Sequence, residues 1–576
     1  MKKFLKLFTI IVISTFIFTS NVKATPANTA FKDDEFYACV IRNLNSDKIN
    51  GVTDRTTEYK VTDNELSQLT SLTCTPLMYK NDISLGGVAG PQVSDVTGLS
   101  KMTNLTKLNL TNNKLSTINV SKNTKLAELY ISGNNLSSID LSKNVELTSL
   151  SINNNKLSTI DLSKNTKLAE IDINGNNLSS IDLSKNVELT KLYANNNNLS
   201  SINLPESTEL YKLELQNNNL TKIDVSKITG CQKLIISNNK LSTIDVSKNT
   251  KLAELEINNN SLSSIDLSKN TAFGKLMANN NNLSSVNLPE NTDRLWQLDL
   301  KNNNLSKLDL SKYTKLWKVN IDNNHLSSID LSKSTGLTEL TAANNNLSSV
   351  NLPESTELEH IYLQNNKLSN IDVSKNTKLY TLILSNNNNI SSIDISNNLN
   401  LSHLYLSNTN IYNLDTSNNS MLYTLSIDNT NIKSMNLINN TRLDFLTMEG
   451  IPTDNIILPS RNNKTYNCYV IADNNFLNNK DDYAYLTGTQ YKCILDADKY
   501  AIERVNGMIT NFHIWSIYEN TNNEYHNDYL KCINNIQTNP QTGINYIHII
   551  FIGIVALLLA TGTYVFQKIA SYGNMA

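Results

Sequence analysis

The amino-acid sequence predicts a solenoid, in which similar short turns stack side by side and each contributes one strand to a parallel β-sheet. Three observations support this prediction. A unit of about 21 residues is written roughly seventeen times between Leu105 and Met448. Apolar residues alternate within each copy, as Leu150 and Ile152 do around Ser151, which is typical of a strand with one buried face. An asparagine follows the strand in most copies, and no copy is long enough to bury its own leucines.

The unit reads Leu-x-x-Leu-x-Leu-x-x-Asn-x-Leu and continues as Ser-Ser-Ile-Asp-Leu-Ser-Lys-Asn, which is the pattern of a leucine-rich repeat. Its register holds throughout residues 105–450, with one extra residue before Leu295 and another before Leu401. We therefore expect a curved leucine-rich-repeat solenoid with the parallel sheet on its concave face and extended or 3₁₀ segments on its convex side. The first apolar position is occupied by Leu105, Leu126, Leu147, Leu168, Leu189, Leu210, Cys231, Leu252, Phe273, Leu295, Leu316, Leu337, Leu358, Leu379, Leu401, Leu422 and Leu443.

The asparagine after each strand is expected to stabilise the stack. Turned inward where the backbone bends, its amide offers two donors and an acceptor to peptide groups that would otherwise be buried without partners. Thr409 and Thr430 replace it in the last full copies, where we expect a looser structure because a hydroxyl forms fewer hydrogen bonds. The asparagines are Asn113, Asn134, Asn155, Asn176, Asn197, Asn218, Asn239, Asn260, Asn281, Asn303, Asn324, Asn345 and Asn366.

The net charge and the N-terminal residues restrict the classes of protein to which the chain can belong. Among 576 residues, 50 Lys and Arg nearly balance 52 Asp and Glu, for a net charge of −2, so nothing in the composition attracts nucleic acid. Residues 1–24 combine early lysines with the apolar run 7–18 and the small-residue site Val22-Lys23-Ala24, as a secretory signal peptide does. Export is therefore predicted, and an uncleaved membrane anchor is the alternative, disfavoured because the run is short for a span.

The C-terminal region 539–576 predicts attachment to the cell surface. Residues 547–566 form an apolar run long enough for a single transmembrane helix, with the repeats facing outward. Asn539-Pro540-Gln541-Thr542-Gly543 precedes this run and resembles a sortase sorting signal of Gram-positive surface proteins. The resemblance implies that a sortase cleaves after Thr542 and joins this residue to peptidoglycan. Because Lys568 is the single basic residue of the tail, where sorting signals carry a basic cluster, retention by the membrane helix is the alternative.

Residues 25–104 are expected to form an N-terminal cap and an incomplete first repeat. Apolar residues recur at helical spacing from Phe36 to Leu44, and Thr62-Asp63-Asn64-Glu65-Leu66 has the pattern of a capping box that opens a second helix. The leader, the helical cap and repeats of 21 to 22 residues together resemble the internalin-like leucine-rich-repeat proteins of bacteria. Over roughly residues 31–450 the resemblance implies this fold, and it does not identify a ligand.

The region after the repeats departs from that family. Residues 451–518 lose the pattern and are too short for the immunoglobulin-like pair that often follows internalin repeats, so we interpret them as a C-terminal cap. Residues 519–538 are rich in Asn and are interpreted as a stalk.

The cysteines predict two disulfides. Cys39 and Cys74 both lie in the N-terminal cap, where an oxidising exterior allows a disulfide, and Cys468 and Cys493 are placed likewise after the last repeat. In each case two buried free thiols are the alternative. Cys231 occupies a first-leucine position and is expected to be a buried apolar thiol. No cysteine spacing fits a metal site.

Six aromatic residues mark the candidate binding surface. Two tryptophans occupy equivalent positions in consecutive copies, and one His-x-Tyr pattern recurs two copies apart; these residues are Trp296, Trp317, His360, Tyr362, His403 and Tyr405. Exposed indoles are costly without a purpose, so the concave face between about residues 296 and 405 is predicted to bind a ligand. That the rings merely pack on neighbouring side chains is the alternative.

A second strand position alternates basic and acidic residues and is interpreted as a solvated face with weak ion pairs. It is occupied by Lys107, Glu128, Glu170, Lys191, Lys212, Lys233, Glu254, Lys275, Lys318 and Glu339.

No residue pattern predicts an enzyme, a cofactor or a metal. The sequence offers no interpretable pair of carboxylates, no glycine-rich phosphate loop and no nucleophile with a base. The recurrent Asp140, Asp161 and Asp182 are interpreted as turn residues rather than as catalytic or calcium-binding groups.

The favoured function is that of a monomeric adhesin or host-interaction protein on a Gram-positive cell, which binds an extracellular protein or glycan. A structural envelope protein that binds other bacterial surface components is the first alternative. A eukaryotic receptor ectodomain is the second, and it is disfavoured because Asn135-Leu136-Ser137 and its equivalents would place a glycan on almost every turn.

Overall fold

The computed structural model describes residues 31–76, 92–451, 456–457, 469–471 and 484–485. The chain divides into two compact units, which are described separately: unit 1 is Met1–Arg294 with Asn302–Asn304, and unit 2 is Leu295–Lys301 with Leu305–Ala576. Several predicted features lie outside the described residues, namely the signal peptide 1–24, Cys468, Cys493, the stalk 519–538, Thr542 and the span 547–566. Within the described ranges, no helix has the length and apolar character needed to cross a membrane.

Unit 1 begins with the predicted helical cap. Helix α1 spans Asp34–Ser46, and the side chain of Asp33 accepts hydrogen bonds from the first free backbone N–H groups, as an N-cap residue does. Helix α2 spans Asp63–Gln68 and opens with the predicted capping box of Thr62 and Glu65. A short 3₁₀ turn, Ile49–Gly51, connects them.

Two buried links stabilise this cap. A disulfide joins Cys39 in α1 to Cys74, which directly follows the first strand of unit 1. The Arg55 guanidinium lies 3.0 Å from the Glu65 carboxylate, and both side chains are buried. Burial alone raises the pKa of Glu65, but the hydrogen bonds that Thr62, Tyr59 and Arg55 donate lower this pKa below its ordinary value overall.

Each repeat contributes a three-residue strand whose central residue is buried. The strands pair in parallel with equivalent residues side by side, as Leu129 does with Leu108 and Leu150. The strands of this sheet in unit 1 are β1 (Ser71–Thr73), β2 (Lys107–Asn109), β3 (Glu128–Tyr130), β4 (Ser149–Ser151), β5 (Glu170–Asp172), β7 (Lys191–Tyr193), β9 (Lys212–Glu214), β10 (Lys233–Ile235), β11 (Glu254–Glu256) and β13 (Lys275–Met277). On the opposite side of the stack, β6 (Ser180–Asp182) pairs with β8 (Ser201–Asn203) and β12 (Ser264–Asp266) with β14 (Ser285–Asn287).

Unit 2 has the same construction. Its sheet contains β15 (Gln297–Asp299), β16 (Lys318–Asn320), β18 (Glu339–Thr341), β20 (His360–Tyr362), β21 (Thr381–Ile383), β22 (His403–Tyr405), β23 (Thr424–Ser426), β25 (Phe445–Thr447), β27 (Tyr469–Ile471) and β28 (Ala484–Tyr485). On the opposite side, β17 (Ser328–Asp330) pairs with β19 (Ser349–Asn351) and β24 (Met435–Asn436) with β26 (Ile456–Ile457). Strands β27 and β28 fall within the predicted C-terminal cap 451–518 and extend the sheet beyond β25 in parallel.

The segments on the side of the stack opposite the main sheet do not form 3₁₀ helices in the described repeats. Within the described repeats the segments there are turns, or the strand pairs named above, so the extended alternative of the prediction applies. Outside the repeats, Leu99–Lys101 forms a 3₁₀ turn in the incomplete first repeat. In the repeats, the Asp side chain of the Asp-Leu-Ser segment accepts the N–H two residues later, as Asp140 does from Ser142 at 2.9 Å.

Buried asparagines hold successive turns together as predicted. The Asn155 amide nitrogen donates to the carbonyls of Ile131 and Ile152 at 3.0 and 3.1 Å, while its oxygen accepts from the Leu136 N–H at 2.9 Å. A second column lies on the back, where the Asn144 amide donates to the carbonyls of Val120 and Asn123.

The residue before each inner asparagine adopts a left-handed backbone conformation, such as Asn217 with φ 58° and Asn238 with φ 57°. Asparagine tolerates this conformation better than most residues with a Cβ atom. Asn217 and Asn238 are exposed, and their amides donate to the side chain one turn earlier, from Asn217 to Asn196 at 2.7 Å and from Asn238 to Asn217 at 2.6 Å. The turns therefore carry an external ladder of amides.

Candidate functional site

The strands present alternate side chains on the side of each sheet away from the leucine core, which we call the open face. The repeat pattern predicts that this face is concave. In unit 1 it carries the predicted ion pairs: Lys107–Glu128 at 2.8 Å, Lys191–Glu170 at 3.1 Å and Lys233–Glu254 at 2.8 Å. These pairs are partly exposed, so each contributes under ~1 kcal/mol. The open face of unit 1 is thus charged and largely self-neutralised.

The open face of unit 2 differs in composition. From β20 to β25 the strands contain no charged residue and carry hydroxyl and aromatic side chains instead. Burial is unusually complete along β21 and β23, where all three residues are buried. Four of the predicted site residues lie here, on β20 and β22: His360, Tyr362, His403 and Tyr405.

Tyr380 and Tyr423 connect these residues into one surface. Each directly precedes a strand, β21 or β23, and its ring lies edge-on to histidine rings. Tyr380 packs between His360 and His403, with ring centroids 6.0 and 5.3 Å away, and Tyr423 lies 5.9 Å beyond His403. Edge-to-face packing of this kind is favourable between aromatic rings. We call these two tyrosines and the four residues of β20 and β22 the aromatic band.

Buried threonines fix part of the band from below. The Thr381 side chain offsets part of the rise that burial gives the pKa of Tyr362, and the Thr424 side chain does the same for the pKa of Tyr405. His403 Nδ1 also lies 3.1 Å from the Thr424 hydroxyl oxygen. Threonine and tyrosine therefore interact in the same way in two places.

Burial sets the protonation of the band. It raises the pKa of Tyr405 to about 12, so the phenol stays neutral at physiological pH. Burial, and then the neighbouring His360, lower the pKa of His403 below its ordinary value. Near neutral pH Tyr405 and His403 are accordingly uncharged.

The predicted tryptophans form a second aromatic pair in unit 2. Trp296 and Trp317 precede β15 and β16, and their rings stack with centroids 6.2 Å apart and planes 22° from parallel. Trp296 is half-buried, whereas 43% of Trp317 is exposed. The rings do pack on each other, yet a large apolar area stays in contact with solvent.

Sequence reasoning missed four residues of this region: Tyr380, Thr381, Tyr423 and Thr424. A signal for them was present, since His360, Tyr362, Tyr380 and Thr381 recur at one constant spacing as His403, Tyr405, Tyr423 and Thr424. We call these sets the first and second modules. Each spans two consecutive turns, so a search within single repeats finds only its His-x-Tyr half.

The remaining polar groups do not assemble a reactive centre in the part of the chain that is described. No three His, Cys, Asp or Glu side chains there come together as ligands for a metal ion. Asp140, Asp161 and Asp182 each accept the backbone N–H of the serine two residues later, which lowers their pKa. Cys231 is buried, and burial raises the pKa of its thiol to about 12, so it is a poor nucleophile.

Stacked parallel strands, asparagine columns and an exposed aromatic band define a leucine-rich-repeat protein with a surface suited to binding. No family model and no curated protein matches the chain. Solved structures do match: YopM from Yersinia enterocolitica is 20% identical, with TM-score 0.54, over 73% of this chain and 91% of that one. The plant peptide hormone receptor RGFR1, solved with RGF2, is 21% identical, with TM-score 0.51, over 64% and 71%. The functional domain of InlJ from Listeria monocytogenes is 27% identical, with TM-score 0.49, over 73% and 81%. The first two likenesses establish the fold.

Proposed function

We propose that this chain is an exported leucine-rich-repeat protein that binds a protein partner on the open face of unit 2. The observation that supports this most strongly is exposed aromatic surface at one repeat position: 43% of Trp317, 45% of Tyr380 and 38% of Tyr423 are exposed. Aromatic side chains concentrate the binding energy of protein interfaces. Because folding leaves these rings in water, binding is the event that buries them.

The biological setting of the proposal comes from the termini. Residues 1–24 export the chain, and Asn539–Gly543 directs a sortase to Thr542, so the repeats are displayed on a Gram-positive envelope. The protein then acts as an adhesin or host-interaction protein, in monomeric form and without catalysis or a cofactor. A role in the envelope, with another bacterial surface component as partner, is the competing function.

The test replaces exposed rings in pairs. Trp296→Ala with Trp317→Ala, and separately Tyr380→Ala with Tyr423→Ala, are each expected to weaken binding of the full-length protein by at least about tenfold, since loss of a central aromatic residue typically costs 2 kcal/mol or more. Binding is measured on arrays of extracellular host proteins and on bacterial wall material, and the array that responds separates the two functions.

The control pair is Tyr130→Ala with Tyr193→Ala. Both tyrosines lie on the open face of unit 1, beside Lys107 and Lys212. These substitutions should leave binding unchanged. If the tryptophan double variant and the tyrosine double variant both bind every ligand as well as the unaltered protein does, the open face of unit 2 is not the binding surface.

A further inference from the structure

The two modules differ in how far their polar atoms are satisfied. In the second module His403 Nδ1 lies 3.1 Å from the Thr424 hydroxyl oxygen, and the neighbouring Ser407 hydroxyl donates to Asp428 at 2.9 Å. The strand before it offers Ile383, an apolar residue, at the position opposite Tyr405. The second module is therefore complete within the chain.

In and beside the first module, three buried polar atoms lack a hydrogen-bond partner among the described residues: Thr341 Oγ1, His360 Nδ1 and Gln364 Oε1. Thr341 is 2% exposed and Gln364 is 6% exposed. Thr341 lies directly opposite Tyr362 on the adjacent strand, where the second module has its isoleucine. Strand alternation places all these side chains on the open face.

Such atoms are a cost to folding. A buried donor or acceptor that lacks a partner destabilises a protein, whereas an apolar residue of similar shape does not. At the equivalent position the chain carries an apolar residue, Ile383, so the fold itself does not require a hydroxyl at Thr341.

Charge around the band restricts the partner further. In the repeats from Glu339 to Thr447, neither a strand nor the residue before it is Lys or Arg. The charged residues beside these strands are acidic: Glu359 is exposed, and Asp444 accepts a hydrogen bond from Tyr423 at 2.7 Å. An uncharged centre with an acidic rim complements a surface with a neutral centre and cationic flanks.

We propose that Thr341, His360 and Gln364 form a polar anchor that receives an Asn or Gln side chain of a protein partner, with Lys or Arg beside it. An amide supplies two donors and an acceptor, which match one carbonyl oxygen, one hydroxyl and one imidazole nitrogen. The His360 and Tyr362 rings lie nearly parallel with centroids 6.3 Å apart. Because the three anchor atoms are buried, the Tyr362 side chain turns aside on binding, as interface side chains commonly do. This inference rests on the proposed function, because it names the partner of the same surface.

The experiment uses the purified full-length chain and a random peptide library displayed on phage. Peptides that bind are synthesised and measured against Thr341→Val and Gln364→Met. Each substitution should keep or raise the melting temperature, because it removes an unpaired polar atom, and should weaken peptide binding about tenfold, because it removes a hydrogen-bond partner of the ligand. Replacing the peptide's Asn or Gln by Leu should weaken binding to the unaltered protein and not to these variants.

Gln216→Met is the matched control. Gln216 occupies the same repeat position in unit 1 and also has an unpaired buried Oε1, but it lies outside the aromatic band. Its substitution should affect stability as Gln364→Met does and leave peptide binding unchanged.

The outcomes separate the two proposals. If peptide binding is lost in Tyr380→Ala but persists in Thr341→Val and Gln364→Met, the anchor is wrong and the proposed function stands. If no selected peptide depends on either aromatic pair, Trp296 with Trp317 or Tyr380 with Tyr423, both are wrong. Chitotetraose, a neutral glycan that also carries amides, serves as the second probe, and its binding at Thr341 and Gln364 would replace the protein partner by a carbohydrate.

Discussion

At the residue scale, the chain uses one side chain for several tasks. Asparagine pairs buried backbone groups after each strand, as Asn155 does, and again on the back of the stack, as Asn144 does. It also takes up the left-handed turn conformation at positions such as Asn217. The first task follows from the repeat pattern. The second task, on the back of the stack, was missed because the serine-rich sequence around these asparagines indicates a solvated segment. Only the stacking of the turns shows that their amides are buried.

The aspartate at position 322 gives a prediction at this scale. Burial raises the pKa of Asp322 from an ordinary value of 3.8 to about 6, and its carboxylate accepts the Ala343 N–H at 2.7 Å. The folded chain thus holds this proton up to a higher pH than the unfolded chain does, so stability that is present at low pH is lost as the pH rises through 6.

Asp322→Asn should therefore stabilise unit 2 by about 3 kcal/mol at alkaline pH, since the pKa of Asp322 is raised from 3.8 to about 6 and one pKa unit corresponds to ~1.4 kcal/mol. The amide keeps the acceptor for Ala343 but needs no ionisation. Urea unfolding of both proteins at about pH 8 and about pH 4 measures the difference, which should nearly vanish at the acidic value. An equal effect at both values would mean that the proton is not involved.

At the scale of elements, equal repeat length explains why strand register was predictable. Each strand must lie beside the equivalent strand of the next copy, and a shift by one residue would turn Leu150 and its equivalents into solvent. The contacts across the open face were less predictable. The sequence shows which repeat position Tyr380 occupies. Its place between the rings of His360 and His403 depends on the side-chain conformations in three successive turns.

The disulfide of the cap gives the prediction at this scale. Cys39 and Cys74 are 35 residues apart, and closing a loop of that size stabilises a protein by ~3 kcal/mol. Replacing both by alanine, or adding a reductant, should lower the melting temperature of the full chain and speed proteolysis between Phe31 and Cys74. Cys231→Ala is the control, because this thiol is free, and a reductant should act on that variant as it does on the unaltered protein.

At the scale of the whole molecule, the fold could be predicted from the sequence more completely than the binding surface. The periodicity predicts the stack because the leucines of every copy must be buried against the next copy. The helical cap is predicted by the helical spacing of its apolar residues and by a capping box. The binding surface lies where copies differ, so a periodic pattern carries little information about it. The tryptophans and the His-x-Tyr pairs were visible as departures, whereas the unpaired atoms at Thr341 and Gln364 become apparent only when neighbouring turns are in place.

The proposed sorting signal is tested on the intact protein. Cells that express the chain are treated with a wall hydrolase, and the released protein is analysed by mass spectrometry of its C-terminal peptide. That peptide should end at Thr542 and carry a fragment of the wall cross-bridge. Thr542→Ala should abolish the product. Recovery of the chain with residues 547–566 still attached would instead indicate retention by the membrane.

The external amide ladder exposes the protein to chemical ageing. Asn196, Asn217, Asn238 and Asn259 each donate to, or accept from, the equivalent side chain one turn away. Hydrolysis of one amide to a carboxylate removes a donor and sets an anion against the oxygen of the preceding residue, so both adjoining hydrogen bonds change at once. Each further deamidation adds a like charge one strand spacing, ~4.8 Å, away. The regular ladder that stabilises the undamaged protein thus allows deamidation at one turn to weaken the hydrogen bonds of the next turn.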